Sequence, residues 1–466
     1  MKKTMVLAVA AATMLVLSAK ALAAEPAKAK TEVVGQEVVE KEGEFCGICE
    51  SKKRVTELVP WLKVGADLRL RAIWDRNIFF DEQVTSSERF WQRYRARLWA
   101  QITPIENVDI NIRLVTEPRY YCQPRSMDDH WIRDEILFDK GNVEWKKILG
   151  MPLKIKVGRQ DMRLGEGWLV FEGTPLDGSR TIYFDAIRGT YEMADIKTTI
   201  DLIYIDNYAN SSQWIRPFCD KDVDLVEQDE RGAIAYVSNK SLIPGGQIDG
   251  YFILKHDHEK RTVSAGSEGT IYTIGAMIKG KLDDNWKYYA EAAPQFGHRN
   301  GHDLCAFGMN SKVTYDFNDA MKNSLRVGYE FLSGDRNHVK NFNRLWGRYP
   351  QWSNIFNGYA DTVDGQRPAQ SSNLHRIGVG HTFVPIKDLQ VITDYHALWS
   401  NVRANSANVT SDGNFRGHLG TLQVKHKVNE HLSHTFTGEV MCPGDYYVDA
   451  KKETAAFLRY EIMLSW

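Results

Sequence analysis

The segment RYRARLWAQ, residues 93–101, places Arg93, Arg95 and Arg97 on alternate positions, with apolar residues between and after them. A period of two indicates a β-strand with one polar and one apolar face. The stretch WLKVGADLRLRAIWD, residues 61–75, alternates in the same way without a break. In a soluble sheet the arginines would face water, whereas in a membrane barrel the apolar residues face lipid and the arginines face the interior. The rest of the chain has to decide between these two arrangements.

The alternation recurs along the chain, and no helical period of comparable length is present. Further examples are Val108–Leu114, Tyr272–Ile278, Leu325–Phe331, Leu389–Trp399 and Leu458–Trp466. Short turn sequences lie at 103–107, 282–285, 318–322 and 429–431, and long polar stretches lie at 206–230, 256–267, 297–303, 335–371 and 401–415. Outer-membrane barrels order periplasmic turns and extracellular loops in this way. The sequence therefore predicts an all-β chain that forms a transmembrane antiparallel β-barrel of about 18 strands. A soluble secreted β-sandwich or propeller is the alternative, but it does not explain the loop lengths and the arginines together.

The first 23 residues have the pattern of a secretory signal peptide. Lys2 and Lys3 precede an apolar run from Met5 to Leu17, and Ala21-Leu22-Ala23 forms a small-residue cleavage site. The run is too short for a typical transmembrane helix, and no later segment has the required length of apolar residues. We therefore expect an exported bacterial protein without transmembrane helices.

Residues 24–58 are rich in Lys and Glu and poor in aromatic residues, which predicts a flexible periplasmic extension before a barrel that covers residues 59–466. The extension holds Cys46-Gly47-Ile48-Cys49. This motif lacks the βαβ setting of a redox pair, a second ligand pair for zinc, and the histidine of a haem attachment site. A local disulfide between Cys46 and Cys49, or a link to a periplasmic partner, is the interpretation we favour.

Arginines on the polar parity of the predicted strands form the candidate conducting surface. The guanidinium group suits carboxylates, because it offers two parallel hydrogen bonds and stays charged. The core of this set is Arg69, Arg71, Arg93, Arg95, Arg97 and Arg113, and Arg159, Arg163, Arg188 and Arg459 extend it, with a change of parity expected near Gly158. The acids available as partners are Asp67, Asp109, Glu117, Asp161, Glu330 and Glu461. Two interpretations stay open: an electropositive conduit, and a set of ion pairs that brace the wall.

Composition excludes other classes of function. The formal net charge is −1, and it becomes −4 when Lys2, Lys3 and Lys20 leave with the signal, so we expect no nucleic-acid partner. The histidines show no metal-binding spacing, and no nucleophile and base occur in a catalytic arrangement. We therefore predict no enzyme activity, no cofactor and no metal site.

Several segments resemble the alginate-export family of outer-membrane barrels. They are GADLRLRAIWDRN (65–77), RYRARLWAQ (93–101), KVGRQDMRLGEG (156–167), SRTIYFDAIRGTYE (179–192), FLSGD (331–335), FNRLWG (342–347) and PGDYY (443–447). The aromatic Trp466 at the end of the last strand resembles the terminal signal of such proteins. The resemblance implies an eighteen-stranded barrel that passes an anionic polysaccharide, or anions more generally, across the bacterial outer membrane.

We accordingly predict a channel in contact with outer-membrane lipid that exports an anionic polysaccharide or passes anions selectively. One alternative is a diffusion porin of broad selectivity. Another is a barrel that acts as a sheath and docks a periplasmic or electron-transfer partner through residues 24–58.

Overall fold

The computed structural model describes residues 59–78, 88–124, 136–171, 183–209, 228–258, 268–347, 350–363, 371–410 and 412–466. The predicted signal peptide and the extension with Cys46 and Cys49 lie outside these residues, so both stay predictions, as does a partner bound through residues 24–58. Within the described ranges, none of the helices combines the length and the apolar character needed to cross a membrane.

Strands make up most of the described chain. They are β1 Leu62–Arg76, β2 Glu88–Ile105, β3 Val108–Thr116, β4 Arg119–Gln123, β5 Leu137–Trp145, β6 Leu153–Gln160, β7 Phe184–Met193, β8 Thr198–Asn207, β9 Glu230–Asn239, β10 Gly246–Asp257, β11 Gly269–Lys281, β12 Trp286–Arg299, β13 His302–Asp316, β14 Ser324–Leu332, β15 Leu374–Ile386, β16 Leu389–Trp399, β17 Phe415–Lys427, β18 Leu432–Pro443 and β19 Ala455–Ser465. The helical elements are the short helix α1, Asn354–Gly358, a π-helical turn at Tyr359–Val363, and 3-10 turns at Ile148–Gly150 and Asp449–Lys451.

The strands form one closed antiparallel barrel. Neighbours in sequence pair with each other, and β19 pairs with β1 to close the ring. Strands β3 and β4 both pair with β2, so β4 continues the path of β3 after an interruption at Glu117 and Pro118. Proline lacks a backbone N–H and breaks the ladder there, but its carbonyl still accepts a hydrogen bond from Tyr94 N at 3.0 Å. Because β3 and β4 together occupy one position in the ring, the nineteen strands form an eighteen-stranded barrel, which confirms the predicted fold class.

The period of two separates an apolar outer face from a polar inner face. On β1 and β2, Leu68 and Leu98 have exposed fractions of 37% and 62%, whereas Arg69 and Arg95 are each only 2% exposed. Other apolar side chains exposed on this outer face include Val157, Leu202, Ile274, Val327, Val379 and Val440. An outer face of this kind is suited to lipid, since only every second residue contacts the bilayer.

The predicted short turns are present, but one predicted long connection is not. Two residues, Glu106 and Asn107, join β2 to β3, and residues 282–285 join β11 to β12. The stretch 297–303 was expected to be long and polar, and this prediction is wrong. Strands β12 and β13 run through most of it and are joined by Asn300 and Gly301, with φ of 50° and 73°. Asn-Gly with two positive φ angles is the preferred two-residue hairpin turn.

Two connections fold back into the barrel. The segment 161–171 follows β6, and the segment 333–363, described at residues 333–347 and 350–363, follows β14 and includes α1. Both segments contact inward-facing side chains of widely separated strands: Trp168 reaches Glu330 on β14, Trp346 reaches Glu230 on β9, and Ser353 reaches Glu439 on β18. Their apolar side chains form part of the buried core, with Phe342, Trp346, Ile355, Phe356 and Tyr359 all at most 1% exposed.

Candidate functional site: the inner wall

The register of β1 and β2 brings the central arginines together. Arg69 lies opposite Arg95, Arg71 lies opposite Arg93, and Asp67 lies opposite Arg97. Like charges directly opposite each other on neighbouring strands destabilise a sheet unless anions separate them. The arrangement therefore requires carboxylates, or other anions, close to this wall.

Three carboxylates supply that charge, and two of them are shared. Glu117 lies 2.9 Å from Arg69 Nη2 and 2.5 Å from Arg93 Nε. Asp67 accepts from Arg97 Nε at 2.8 Å and from Arg95 Nη2 at 3.4 Å. Arg71 Nε donates to Glu461 on β19. This group of described residues, which we call the arginine wall, thus has five arginines and three acids.

Arg95 is the least completely satisfied member of the arginine wall. Its one acceptor among the described residues is Asp67, which it shares with Arg97. The side chain is 2% exposed, and its Nε and Nη1 have no hydrogen-bond partner in the described part of the chain. A buried donor without an acceptor costs about 1–3 kcal/mol. The charge of Arg95 is therefore only partly balanced by the acids of the wall.

Two other predicted arginines are fully engaged by acids. Arg113 holds Asp161 through two hydrogen bonds of 2.9 and 2.8 Å and also donates to Asp139 at 2.7 Å. Arg188 holds Asp201 on β8 with bonds of 2.8 and 3.0 Å. Bidentate pairs of this kind fix geometry strongly. Arg188 thus braces β7 to β8, and Arg113 connects β3 to β5 and to Asp161 at the start of the segment 161–171.

Arg159 lies apart from the arginine wall. Its register partner is Asp185, which accepts two hydrogen bonds of 2.9 Å, and its guanidinium lies 3.7 Å from the ring centroid of Tyr183. The pairing of β6 with both neighbours continues through Gly158 without a shift, so the expected change of parity does not occur there. Arg159 therefore shares the parity of the exposed Val157 and is grouped by register with outward-facing positions.

The last two predicted arginines occupy different settings. Arg163 lies on the inward segment 161–171, and its side chain is 51% exposed. Arg459 is buried on β19, where its register partners are Ile73 and Thr437. Its parity is that of Glu461, so it borders the arginine wall.

The predicted lumenal acids serve several purposes. Asp109 accepts from Thr103 at 2.7 Å and Lys146 at 2.5 Å, so its partners are not wall arginines. Glu330 accepts hydrogen bonds from the indole groups of Trp168 and Trp352, at 3.0 and 3.1 Å, and forms ion pairs with Arg344 and Arg376, at 3.2 and 3.1 Å. Glu330 on β14 is thus a hub that joins both inward segments to the barrel strands.

Sequence reasoning missed two acids that hold the inward segment 333–363. Glu230 on β9 accepts from the Trp346 indole at 3.0 Å. Glu439 on β18 accepts from Ser353 Oγ at 2.8 Å and from the backbone N–H of Asn354 and Ile355 at the start of α1. Carboxylates at a helix start satisfy the free N–H groups. The available signal was an acid with inward parity at the end of a strand that precedes or follows a long loop.

No cluster of three or more His, Cys, Asp or Glu side chains suited to a metal ion occurs among the residues that the structure describes. The described cysteines, Cys122, Cys305 and Cys442, are free thiols.

Comparisons with known proteins bear on the family and the fold of this chain. A family model described as alginate export matches residues 61–461. Among solved structures, OccK9 (OpdG) of Pseudomonas aeruginosa is 11% identical with a TM-score of 0.59, covering 87% of this chain and 98% of that chain. A BenF-like porin from Pseudomonas fluorescens Pf-5 is 11% identical with a TM-score of 0.56, covering 87% of this chain and 99% of that chain. OpdQ of Pseudomonas aeruginosa is 10% identical with a TM-score of 0.55, covering 88% and 98%. No curated protein matches the sequence. At these identities the solved structures share the fold alone with this chain.

Proposed function

The chain belongs to the alginate export family, and from that premise we propose that it conducts an anionic polysaccharide, or smaller anions, through the barrel lumen. It is a bacterial outer-membrane β-barrel channel, and its family and fold are those of transport proteins.

The observation that carries the proposal is the sharing of Asp67 by Arg95 and Arg97. One carboxylate balances two guanidinium groups, and two nitrogens of Arg95 have no acceptor among the described residues. A wall built only from braces would pair each arginine with its own acid, as Arg113 and Arg188 are paired. The charge that Asp67 leaves unbalanced on this pair attracts a carboxylate, and Arg97, whose side chain is 16% exposed, is the member of the pair that it can reach.

The two interpretations of the arginines are therefore compatible. Asp67, Glu117 and Glu461 stabilise the closely spaced guanidinium groups, and the incomplete balance leaves the surface attractive to anions. Weak binding at several positions suits conduction, because a transported ion has to leave each site as well as enter it. A polyanion can exchange from one arginine to the next while the fold stays braced.

Ion selectivity of the purified protein in planar lipid bilayers tests the proposal. A reversal potential that indicates preference for chloride over potassium, with block by added mannuronate oligomers, would support it. Equal permeability for both ions without block would indicate the diffusion porin instead. A preference for potassium would overturn the proposal.

A further inference from the structure

The inward segment 161–171 is a tight hairpin. Arg163 bridges to Phe171, and Leu164 N donates to Val170 O at 3.1 Å. The tip is Gly165-Glu166-Gly167, and the two glycines have φ of 57° and 81°. A Cβ atom at Gly165 would lie 2.8 Å from the hydroxyl of Tyr236 on β9. The glycine thus allows the tip to approach the inner wall closely.

The hairpin tip presents a carboxylate to a second basic group, which is separate from the arginine wall. Lys279 Nζ on β11 lies 2.6 Å from Glu166 Oε1, and Arg163 Nη2 lies 3.6 Å from Glu166 Oε2. Lys312 on β13 shares a row with Lys279, because Tyr289 on β12 is the register partner of both. We call Arg163, Lys279 and Lys312 the hairpin-tip cations.

This group differs from the braces in geometry and in access to water. Among the described residues Glu166 is the one acid that forms ion pairs with these cations, although Asp249 lies beside the hairpin, with its Oδ2 4.0 Å from the position of a Cβ at Gly165. The contact between Lys279 and Glu166 is monodentate. The side chains of Arg163 and Lys279 are 51% and 33% exposed, and Lys312 is also exposed. Lys312 forms no ion pair within the described ranges, and its Nζ lies 5.1 Å from the ring centroid of Tyr289. The buried bidentate pair of Arg159 with Asp185 shows what a purely structural contact in the same barrel looks like.

Electrostatics keep Glu166 charged at neutral pH. Partial burial raises the pKa of its carboxyl. The hydrogen bond and charge of Lys279, together with the charges of Lys312 and Arg163, lower the pKa by a larger amount, so it lies below its ordinary value. The hairpin therefore carries a fixed anion of the same chemical type as the charged group of a uronate.

We propose that the hairpin-tip cations form a binding site for a carboxylate of the translocated polyanion, and that Glu166 is a tethered stand-in that occupies this site when no polymer is present. The inference rests on the proposed function. Exchange of one carboxylate for another leaves the charge balance of the three cations unchanged, and water solvates the released carboxylate of Glu166. Once displaced, Glu166 is repelled by the incoming polymer and its hairpin tip moves away from Lys279.

If Glu166 competes with the polymer for the cations, removing its charge should strengthen block of the channel. Removing a purely structural ion pair should not have this effect. Glu166→Gln keeps the size of the side chain and removes the competing charge. In bilayer recordings with a mannuronate oligomer of defined length, we expect the half-blocking concentration to fall about two- to five-fold, the range set by one exposed ion pair. Lys279→Gln and Lys312→Gln should each raise that concentration.

The matched control is Glu192→Gln. Glu192 forms an ion pair of 3.5 Å with Lys154, and its side chain is 59% exposed, so its removal changes the net charge equally without touching the hairpin. We expect the half-blocking concentration to stay at the wild-type value. An equal fall in both variants would mean a general change of the electric field and would overturn the tethered-anion site.

Different results would overturn the proposed function and the binding site at the hairpin tip. If the wild-type channel shows no anion preference and no block, the proposed function fails. If the wild type is blocked and anion-selective, but Glu166→Gln leaves block unchanged or weakens it, then the inference fails while the proposed function stands. Retention of the folded band in unheated gel samples, checked for each variant, separates these results from loss of the barrel.

Discussion

Trp346 donates its indole N–H to the carboxylate of Glu230 at 3.0 Å. The two residues are 116 positions apart in the chain, and the contact fastens the segment 333–363 to β9. Phe184 meets the indole edge to face at 6.2 Å, and Lys255 Nζ lies 5.5 Å from its ring centroid. Because Glu439 holds the other part of the same segment at β18, the segment is fixed to two separate parts of the wall.

Trp346→Phe should loosen this attachment without leaving Glu230 unbalanced, since Lys255 still pairs with Glu230 at 3.0 Å. The loss of one hydrogen bond and some packing should lower the free energy of unfolding by about 1–3 kcal/mol, whereas Trp346→Ala should cost about 3–5 kcal/mol. Guanidinium unfolding in lipid vesicles measures both. Single-channel conductance should rise in the order wild type, Phe, Ala. Identical conductance in all three proteins would show that this attachment does not restrict the lumen.

Glu330→Gln should lower the free energy of unfolding more than the loss of an exposed acid does. Glu330 is 1% exposed and balances Arg344 and Arg376, so the amide would leave two guanidinium groups without their counter-ion. Breaking a buried ion pair typically costs about 3–5 kcal/mol. The comparison variant is Glu192→Gln, which removes an exposed pair worth at most about 1 kcal/mol. Equal unfolding free energies in the two variants would contradict the role of Glu330 in holding the inward segments.

Adjacent residues on β17 test the assignment of the two barrel faces. Leu422 is exposed on the outer face, whereas Thr421 has Glu439 and Asp394 as register partners on the inner face. Leu422→Arg should lower the free energy of unfolding by about 2–4 kcal/mol in a bilayer, because it places a charge in lipid. Thr421→Arg should cost much less, since acids and water are close. Reversed costs would exchange the inner and outer faces.

The tethered anion also predicts a pH dependence. A carboxyl whose pKa is lowered in the folded protein contributes stability above its ordinary pKa of about 4.3, and this contribution is lost as pH falls through the lower folded value. The difference in oligomer block between wild type and Glu166→Gln should therefore stay constant from pH 7 to about 5 and shrink only at lower pH. A difference that disappears already between pH 7 and about 6 would contradict an ionised Glu166.

Much of the barrel was predictable, because alternation is a local property. The strands around Leu68 and Leu98, their outward parity, and most short turns follow from residues adjacent in sequence. The turn at Asn300 and Gly301 was predictable too, since Asn-Gly between alternating segments is a hairpin signal. It was missed because the surrounding residues are polar and were assigned to a long loop.

The pairing of charges was not predictable, because it depends on register and on folded loops. Glu117 is 48 positions from Arg69 in sequence and reaches it only through the interruption before β4. Arg159 was expected among the lumenal arginines, but continuous pairing through Gly158 groups it with outward-facing positions. Glu166 has no distinctive sequence signal. Its position depends on the hairpin 161–171, which follows β6 and reaches Lys279 on β11, and no local pattern specifies that contact.

The central claim is that the arginine wall makes the lumen selective for anions, and reversal potentials across a KCl gradient test it most directly. The wild-type channel should prefer chloride. Arg97→Gln should reduce this preference, because Asp67 then balances Arg95 alone, whereas Asp67→Asn should increase it, because two guanidinium groups lose their shared anion. Opposite shifts from these two neighbours would support an electropositive conduit. A wild-type preference for potassium, or a potential that neither substitution changes, would contradict it.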